Sequence, residues 1–292
     1  MFERFSRSWA LVKASAAVLN QDRELLVLPV VSGVCTILVT AAFLYPAYVT
    51  GMLEAAIEAA DSGQDADDAM TVLGYVWMFA FYLVQYFVVI FFNTALVGAA
   101  MQRMDGGNPT LGSAIGIASS RVGTIFGYAL ISATVGVILR YIGERFGTIG
   151  RIVESMLGFG WSISTFLVVP IIVARGVGPV DAVKQSASLL RRSFGENIIG
   201  NAGIGLVFAL LFMAAFLIGG GVSLAVFDAT DSLLVTAVPI AATVVVIAGL
   251  IVFAAALGSV YSAAVYRYAE GLAPPPRMDP ALLASSFRAK KA

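Results

Sequence analysis

The sequence predicts an all-α, polytopic membrane protein with six transmembrane helices and three amphipathic helices at its cytoplasmic interface. Three observations lead to this fold class. Hydrophobic residues make up 59% of the 292-residue chain. Charged residues make up only 12%, against about 25% in a soluble domain. The charges are absent from six long runs, and the basic residues lie mostly on one side of those runs.

Six charge-free runs define the predicted spans, because each reaches the ~18 residues that suggest a transmembrane helix. No other charge-free run in the chain is as long. The sixth run contains Pro239, and we predict one long span there, since neither half would cross a membrane comfortably. The runs cover residues 25–53, 69–102, 122–139, 155–174, 197–227 and 232–266.

Lysine and arginine set the predicted orientation, because the cytoplasmic segments of membrane proteins are enriched in these residues. With the N-terminus inside, 15 of the 18 basic residues are cytoplasmic, and only Arg140, Arg145 and Arg151 fall outside. The first outer segment is instead acidic, with Glu54 and Glu58 near its start. We therefore expect a multipass protein of a prokaryotic cell membrane with both termini in the cytoplasm.

One charged segment between the fourth and fifth runs has the pattern of a helix lying on the membrane surface. Pro179 suits a first helical position, and Gly195 suits the end of a helix. One face carries Lys184, Arg191 and Arg192. At this length and charge the helix is predicted to lie in the cytoplasmic interface rather than to span. Apolar residues at steps of three and four form its other face: Val180, Val183, Ala187, Leu190 and Phe194.

Two further segments show related patterns. Residues 1–21 have an apolar face, with Arg4, Arg7 and Lys13 off it, and residues 12–19 resemble residues 183–190. A weaker third segment follows a turn at residues 107–110. Its face consists of Leu111, Ile115, Ala118 and Val122.

These helices divide the chain into three units, each an interfacial helix followed by two spans. The boundaries lie near residues 1–103, 104–175 and 176–271, within a single membrane domain of residues 1–271. Residues 272–292 form a Pro-rich linker and a short basic cytoplasmic tail. Two explanations stay open, namely true internal repeats or the common occurrence of short basic helices between spans.

The composition excludes several kinds of chemistry. The chain has no histidine and one cysteine, so the usual general base and the usual zinc ligands are missing. No ionisable residue lies inside the six runs, which argues against a proton pump or a proton-coupled carrier. We expect no catalytic residue, no cofactor and no metal site, and therefore not an enzyme.

The second run contains a polar stripe beside Gln85. Two interpretations apply: hydrogen bonding between helices, which we favour, and the lining of a substrate path. The stripe consists of Tyr75, Tyr82, Tyr86 and Asn93, spaced for one helical face. A triple glycine at residues 219–221 similarly predicts close helix packing, with a hinge as the alternative.

Several segments resemble a family of uncharacterised prokaryotic multipass proteins that is rich in haloarchaeal members. The resembling residues are Trp161, Phe166, Val169-Pro170, residues 178–186 and 195–203, and, near the N-terminus, Phe2, Ser8-Trp9, Lys13, Leu25-Leu26 and Pro29. The family pattern usually has an acidic residue where Arg175 stands and a tryptophan where Phe194 stands. The resemblance implies fold and location but no activity. The Gly178-Pro179 elbow also has a looser likeness to the membrane domain attached to some glycerophosphodiester phosphodiesterases.

Two classes of function remain. The favoured one is an accessory or organising protein whose interfacial helices engage anionic lipid of the inner leaflet, a protein partner or a second copy of the chain, but not nucleic acid. The alternative is a permease-like conduit for a lipophilic or lipid substrate. The candidate headgroup contacts are Lys184, Arg191, Arg192, Arg4, Arg7 and Lys13.

Overall fold

The computed structural model describes residues 13, 15–17, 19–20, 22–61, 72–194 and 203–272. The secondary structure of these residues is helical, with no strand among them, which confirms the all-α class. A 3₁₀ turn, Arg23–Leu26, leads into the first long helix. The helices are α1 (Val27–Val49), α2 (Met52–Asp61), α3 (Val72–Met104), α4 (Leu111–Ser119), α5 (Val122–Arg145), α6 (Gly147–Ser164), α7 (Val168–Arg175), α8 (Pro179–Phe194), α9 (Gly203–Thr230) and α10 (Leu233–Ala269).

Six helical stretches in the described part of the chain are long and apolar enough to cross a membrane. Their number confirms the prediction from the charge-free runs, and α10 is one continuous helix through Pro239. The fourth stretch consists of α6 and α7, separated by a turn at residues 165–167. The stretches are Glu24–Val49, Leu73–Met104, Val122–Arg145, Gly147–Arg175, Val207–Thr230 and Leu233–Ala269.

The fourth stretch begins eight residues earlier than its charge-free run, at Gly147 rather than residue 155. The additional turns hold Arg151 and Glu154. Glu154 packs against Gly143 of α5, where a Cβ atom would overlap its carboxylate. The close approach of α5 and α6 therefore depends on a glycine and accommodates a charged residue near the helix end.

The chain forms two compact units. The first draws on Met1–Pro29, Leu96–Ser113 and Ser188–Ala292. Its core contains the C-terminal half of α10, where Ala256, Leu257 and Ala263 are fully buried. The second draws on Val30–Ala95 and Ala114–Ala187. The three units predicted from the sequence pattern are defined differently from these two compact units, and they stay a prediction.

The triple glycine lies inside α9, which continues without interruption through residues 219–221. Gly219 faces Thr243 of α10 so closely that a Cβ atom would overlap the threonine side chain. The contact at Gly219 favours the packing interpretation, while Gly220 and Gly221 have no atom within 4 Å of an added Cβ. Small residues let helix backbones approach in a bilayer, where apolar surface alone does not drive association.

One described helix was not predicted. The segment after the first span was treated only as an acidic loop, but Met52–Asp61 forms α2. Its alanine, leucine, methionine and glutamate residues are strong helix formers, which explains the local structure. Glu54, Ile57 and Glu58 are all exposed.

Several predictions lie outside the described residues. They concern most of the opening helix, including Arg4 and Arg7, the helix end at Gly195, and the tail over residues 273–292.

Candidate functional site

The predicted surface helix forms as α8. It begins at Pro179, as predicted, and ends at Phe194. The carbonyl of Gly178 accepts the first helical hydrogen bond, from the Ala182 N–H at 2.9 Å. Gly176 has a left-handed backbone with φ 61°, which turns the chain from α7 into α8. A side chain is disfavoured in that conformation, so glycine suits the elbow.

One side of α8 is buried against the protein, and it overlaps only in part with the predicted apolar face. Ala182 and Ser186 are 0% exposed and Leu190 is 2% exposed. Val180, by contrast, is 52% exposed, and Ala187 is exposed as well. The helix packs through small side chains because these allow close approach. Of the predicted apolar face, Leu190 is buried and Val183 half-buried, while the side chain of Phe194 is outside the described set.

The remaining surface of α8 is exposed and carries both apolar and basic side chains. Its exposed apolar residues are Val180 and Ala187. Lys184, Arg191 and Arg192 are also exposed and have no ion pair or hydrogen bond to another described residue. Helices that lie at membrane surfaces combine basic and apolar side chains.

Hydrogen bonds attach the buried side of α8 to the fourth span. The Leu167 N–H donates to Ser186 Oγ at 3.1 Å. Arg175 Nη1 donates to Gln185 Oε1 at 2.7 Å. At the start of α8, the Pro179 ring lies against Gly127 of α5, where an added Cβ atom would be 2.8 Å from Pro179 Cγ. The helix is thereby anchored along one side and open along the others.

The shorter helix α4 also buries small residues. Ala114 and Ala118 are 0% exposed, whereas Ile115 is 37% exposed, so the predicted apolar face is packed at Ala118 but not at Ile115. Thr110 and Ser113 exchange hydrogen bonds of 3.1 and 2.9 Å between side-chain oxygens and backbone N–H groups. This reciprocal arrangement starts the helix where the predicted turn ends.

The described part of the opening helix follows the same rule. Ser15 is 0% exposed and Leu19 is 3% exposed, and these residues correspond to Ser186 and Leu190 in the segment that residues 12–19 resemble. Lys13, a predicted headgroup contact, is exposed.

Three arginines at the ends of even-numbered spans hold neighbouring segments, a role that the sequence did not reveal. Arg103 donates through Nε and Nη2 to the two carboxylate oxygens of Asp22. Arg267 pairs with Asp105, and Arg175 bonds Gln185 as described above. Arginines at helix C-termini are common because they complement the helix dipole, so their presence alone does not point to such contacts. The signal in the sequence was Asp22, an acidic residue just before a span.

The polar stripe on α3 contacts neighbouring helices of its own unit. Arg140 Nη1 donates to the Tyr82 hydroxyl at 3.1 Å. The Tyr86 hydroxyl lies at Gly136, 3.4 Å from where a Cβ atom would be. On the α1 side, Gln85 Nε2 donates to Thr40 Oγ1 at 2.7 Å and to the carbonyl of residue 36 at 3.2 Å.

These contacts favour the interpretation of the stripe as hydrogen bonding between helices. Tyr75 and Asn93 are half-buried, and each has an interaction with other residues. Gln85 Oε1 is a buried acceptor without a partner in the described residues. The stripe thus joins α3 to α1 on one side and to α5 on the other.

The basic segment at the end of α5 is partly neutralised. Arg140 Nε donates to Glu144 Oε1 at 2.6 Å. Arg145 and Arg151 are exposed and have no such pair among the described residues.

Metal and cofactor binding find no donor set in the part of the chain that is described. No group of three or more histidine, cysteine, aspartate or glutamate residues that could hold a metal ion occurs there. The only cysteine, Cys35, is a half-buried free thiol in the first span.

The comparisons with known proteins identify a family but no activity. No curated protein and no solved structure matches the chain. Residues 72–273, which cover the second to sixth spans and α8, match the model of a family of unknown function, DUF6159. The chain belongs to the DUF6159 family.

Proposed function

We propose that this chain is a non-catalytic accessory or organising protein of the cell membrane, which engages anionic lipid of the inner leaflet through α8. The observation that carries the proposal is the contrast between the buried and the exposed parts of α8. Ser186 anchors the buried part, and the exposed part carries Val180 together with Lys184, Arg191 and Arg192.

The charges favour lipid as the ligand. Cations close to an anionic leaflet contribute about 1 kcal/mol each, falling off within a Debye length. Three such cations together equal the burial of one large apolar side chain, roughly 3 kcal/mol. A protein partner or a second copy of the chain would compete for the same surface. Lys13, Arg4 and Arg7 are proposed to extend the same contact.

Photo-crosslinking in nanodiscs tests this proposal with the full chain. A photoreactive phosphatidylglycerol analogue should label residues 179–194 of the wild type. In the variant Lys184→Gln/Arg191→Gln/Arg192→Gln, the affinity for that lipid should fall by up to about two orders of magnitude at low salt. Labelling by a phosphatidylcholine analogue should stay unchanged.

The matched control removes exposed cations elsewhere. Arg145→Gln/Arg151→Gln should leave the labelling of α8 unchanged. Equal labelling of the wild type and the triple variant by the anionic analogue would defeat the proposal.

The orientation is proposed from the distribution of basic residues, with both termini in the cytoplasm. Two exposed positions test it in a Cys35→Ala background: Thr148 at the start of α6 and Ser188 on α8. A cysteine replacing Thr148 should react with a membrane-impermeant maleimide in intact cells. A cysteine replacing Ser188 should react only after lysis, and the reverse pattern would invert the topology.

A permease-like conduit for a lipophilic or lipid substrate is the second candidate. The break between α6 and α7 favours it, because discontinuous helices line the binding sites of many transporters. Cysteine-accessibility scanning along residues 82–100 tests whether α3 faces a hydrated path. Complete protection from aqueous reagents through the middle of that helix, in the wild type and in Asn93→Leu, would leave no support for a conduit along α3.

A further inference from the structure

The fourth span is interrupted at residues 165–167, and α8 supplies a hydrogen-bond partner there. The Thr165 and Phe166 N–H groups bond carbonyls of α6, those of Trp161 and Ile163. The Leu167 N–H donates instead to Ser186 Oγ, and both residues are 0% exposed. An unpaired N–H is strongly unfavourable at membrane depth, so Ser186 completes the hydrogen bonding of the span.

The interruption is a consequence of the local sequence. Pro170 lies in the first turn of α7, where its missing N–H is tolerated. A helix continuing through it would bring its ring against the carbonyl of residue 166 and lose one hydrogen bond. The span therefore breaks just before Pro170, and the break needs a partner from another segment.

The same helix that supplies this partner carries three exposed cations. Ser186 and Gln185 lie on the anchored part of α8, while Lys184, Arg191 and Arg192 are exposed. All belong to one continuous helix of 16 residues. A displacement of the charged side at the membrane surface therefore moves the Ser186 hydroxyl relative to the break.

We propose that α8 couples the lipid leaflet to the fourth span. In the engaged state its cations contact anionic headgroups and Ser186 holds the Leu167 amide. When the headgroup contact is lost, α8 shifts and the amide loses its acceptor. The lipid part of this inference rests on the proposed function. Because coupling free energies are reciprocal, loss of the Ser186 contact must also weaken the lipid contact.

Hydrogen–deuterium exchange of the full chain in nanodiscs tests the inference at the Leu167 amide. Ser186→Ala should speed its exchange about tenfold or more, because a buried donor is left without a partner. Ser188→Ala is the matched control, since Ser188 is exposed on the same helix. That variant should exchange like the wild type.

A second test compares two lipid compositions. It uses the wild type, so it does not depend on the folding of a variant. Exchange at Leu167 in the wild type should be several-fold slower in nanodiscs containing phosphatidylglycerol than in phosphatidylcholine alone. The triple variant Lys184→Gln/Arg191→Gln/Arg192→Gln should lose this difference. Ser186→Ala should also reduce crosslinking of the phosphatidylglycerol analogue to α8.

Two results would overturn the inference. One is equal exchange at Leu167 in Ser186→Ala and Ser188→Ala. The other is equal exchange in the two lipid compositions for the wild type. Suppose that exchange is equal in the two lipid compositions but that crosslinking to α8 still depends on the cations of α8. The proposed function then stands and the coupling fails. If crosslinking does not depend on the cations, the proposed function fails and the coupling to lipid fails with it.

Discussion

The ends of the second and sixth spans have the same sequence feature but different environments. Each has an arginine in its last turn, and each arginine pairs with an aspartate distant in sequence. Asp22, the partner of Arg103, is only 7% exposed, whereas Asp105, the partner of Arg267, is 64% exposed. Solvent screens the second pair and hardly reaches the carboxylate of the first. The burial of the acid, not the presence of the arginine, thus decides how much each end depends on its pair.

The largest expected effect comes from breaking the buried pair. Arg103→Gln should reduce the free energy of unfolding by about 3 kcal/mol, because it leaves the Asp22 carboxylate buried without a cation. Reversible unfolding in mixed micelles measures the change. The double variant Asp22→Asn/Arg103→Gln removes the buried charge and should recover a large part of the loss. A double variant no more stable than Arg103→Gln would contradict this account.

The fourth span extends the comparison, because a left-handed glycine follows both it and the sixth span. Gly176 has φ 61° and Gly271 has φ 71°. Alanine in this conformation costs about 1–2 kcal/mol at either position. A Cβ at Gly176 would also overlap the Arg121 guanidinium, while nothing lies within 4 Å of one at Gly271. Gly176→Ala should therefore lower the unfolding free energy more than Gly271→Ala, and equal losses would show that Arg121 moves away freely.

The pair of Arg267 with the exposed Asp105 should contribute less. The coupling energy between Arg267 and Asp105, measured by a double-mutant cycle, should be about 0.2–1 kcal/mol and should fall at high salt. The cycle uses Arg267→Gln, Asp105→Asn and the double variant. A coupling as large as that between Arg103 and Asp22 would refute the role given to burial.

The smallest effect is expected at the C-terminal end of α5, where Arg140 and Glu144 are 48% and 46% exposed. Tyr82→Phe removes the hydroxyl that accepts from Arg140 and should cost about 0.6 kcal/mol, a typical value for a hydrogen bond between membrane helices. Tyr45→Phe is the matched control, because Tyr45 is 71% exposed. A loss of several kcal/mol at Tyr82 alone would mean that the stripe does more than join helices.

The parts of the fold that depend on local sequence patterns were predictable. Charges are expensive in hydrocarbon, so charge-free runs located the six spans. Pro179 marked the start of α8, because proline fits only a few helical positions.

The buried face of α8 was not predictable in the same way. In a soluble protein the apolar face points inward, but a membrane offers two apolar environments, lipid and protein. Apolar Val180 is therefore exposed, and the small residues Ala182 and Ser186 mark the protein side. The bond from Leu167 to Ser186 and the pair of Asp22 with Arg103 join residues 19 and 81 positions apart, which no local pattern encodes.

The separation of 19 residues between Leu167 and Ser186 also has a consequence for biosynthesis. Chains are synthesised at about 5–20 residues per second, so Ser186 follows Leu167 by roughly 1–4 s. During that interval the fourth span exists without the acceptor for one of its amides. The fourth span can reach its final form only after α8 has left the ribosome and folded against it. A translational pause within residues 168–186 would therefore prolong the interval in which the Leu167 amide lacks its acceptor during membrane insertion.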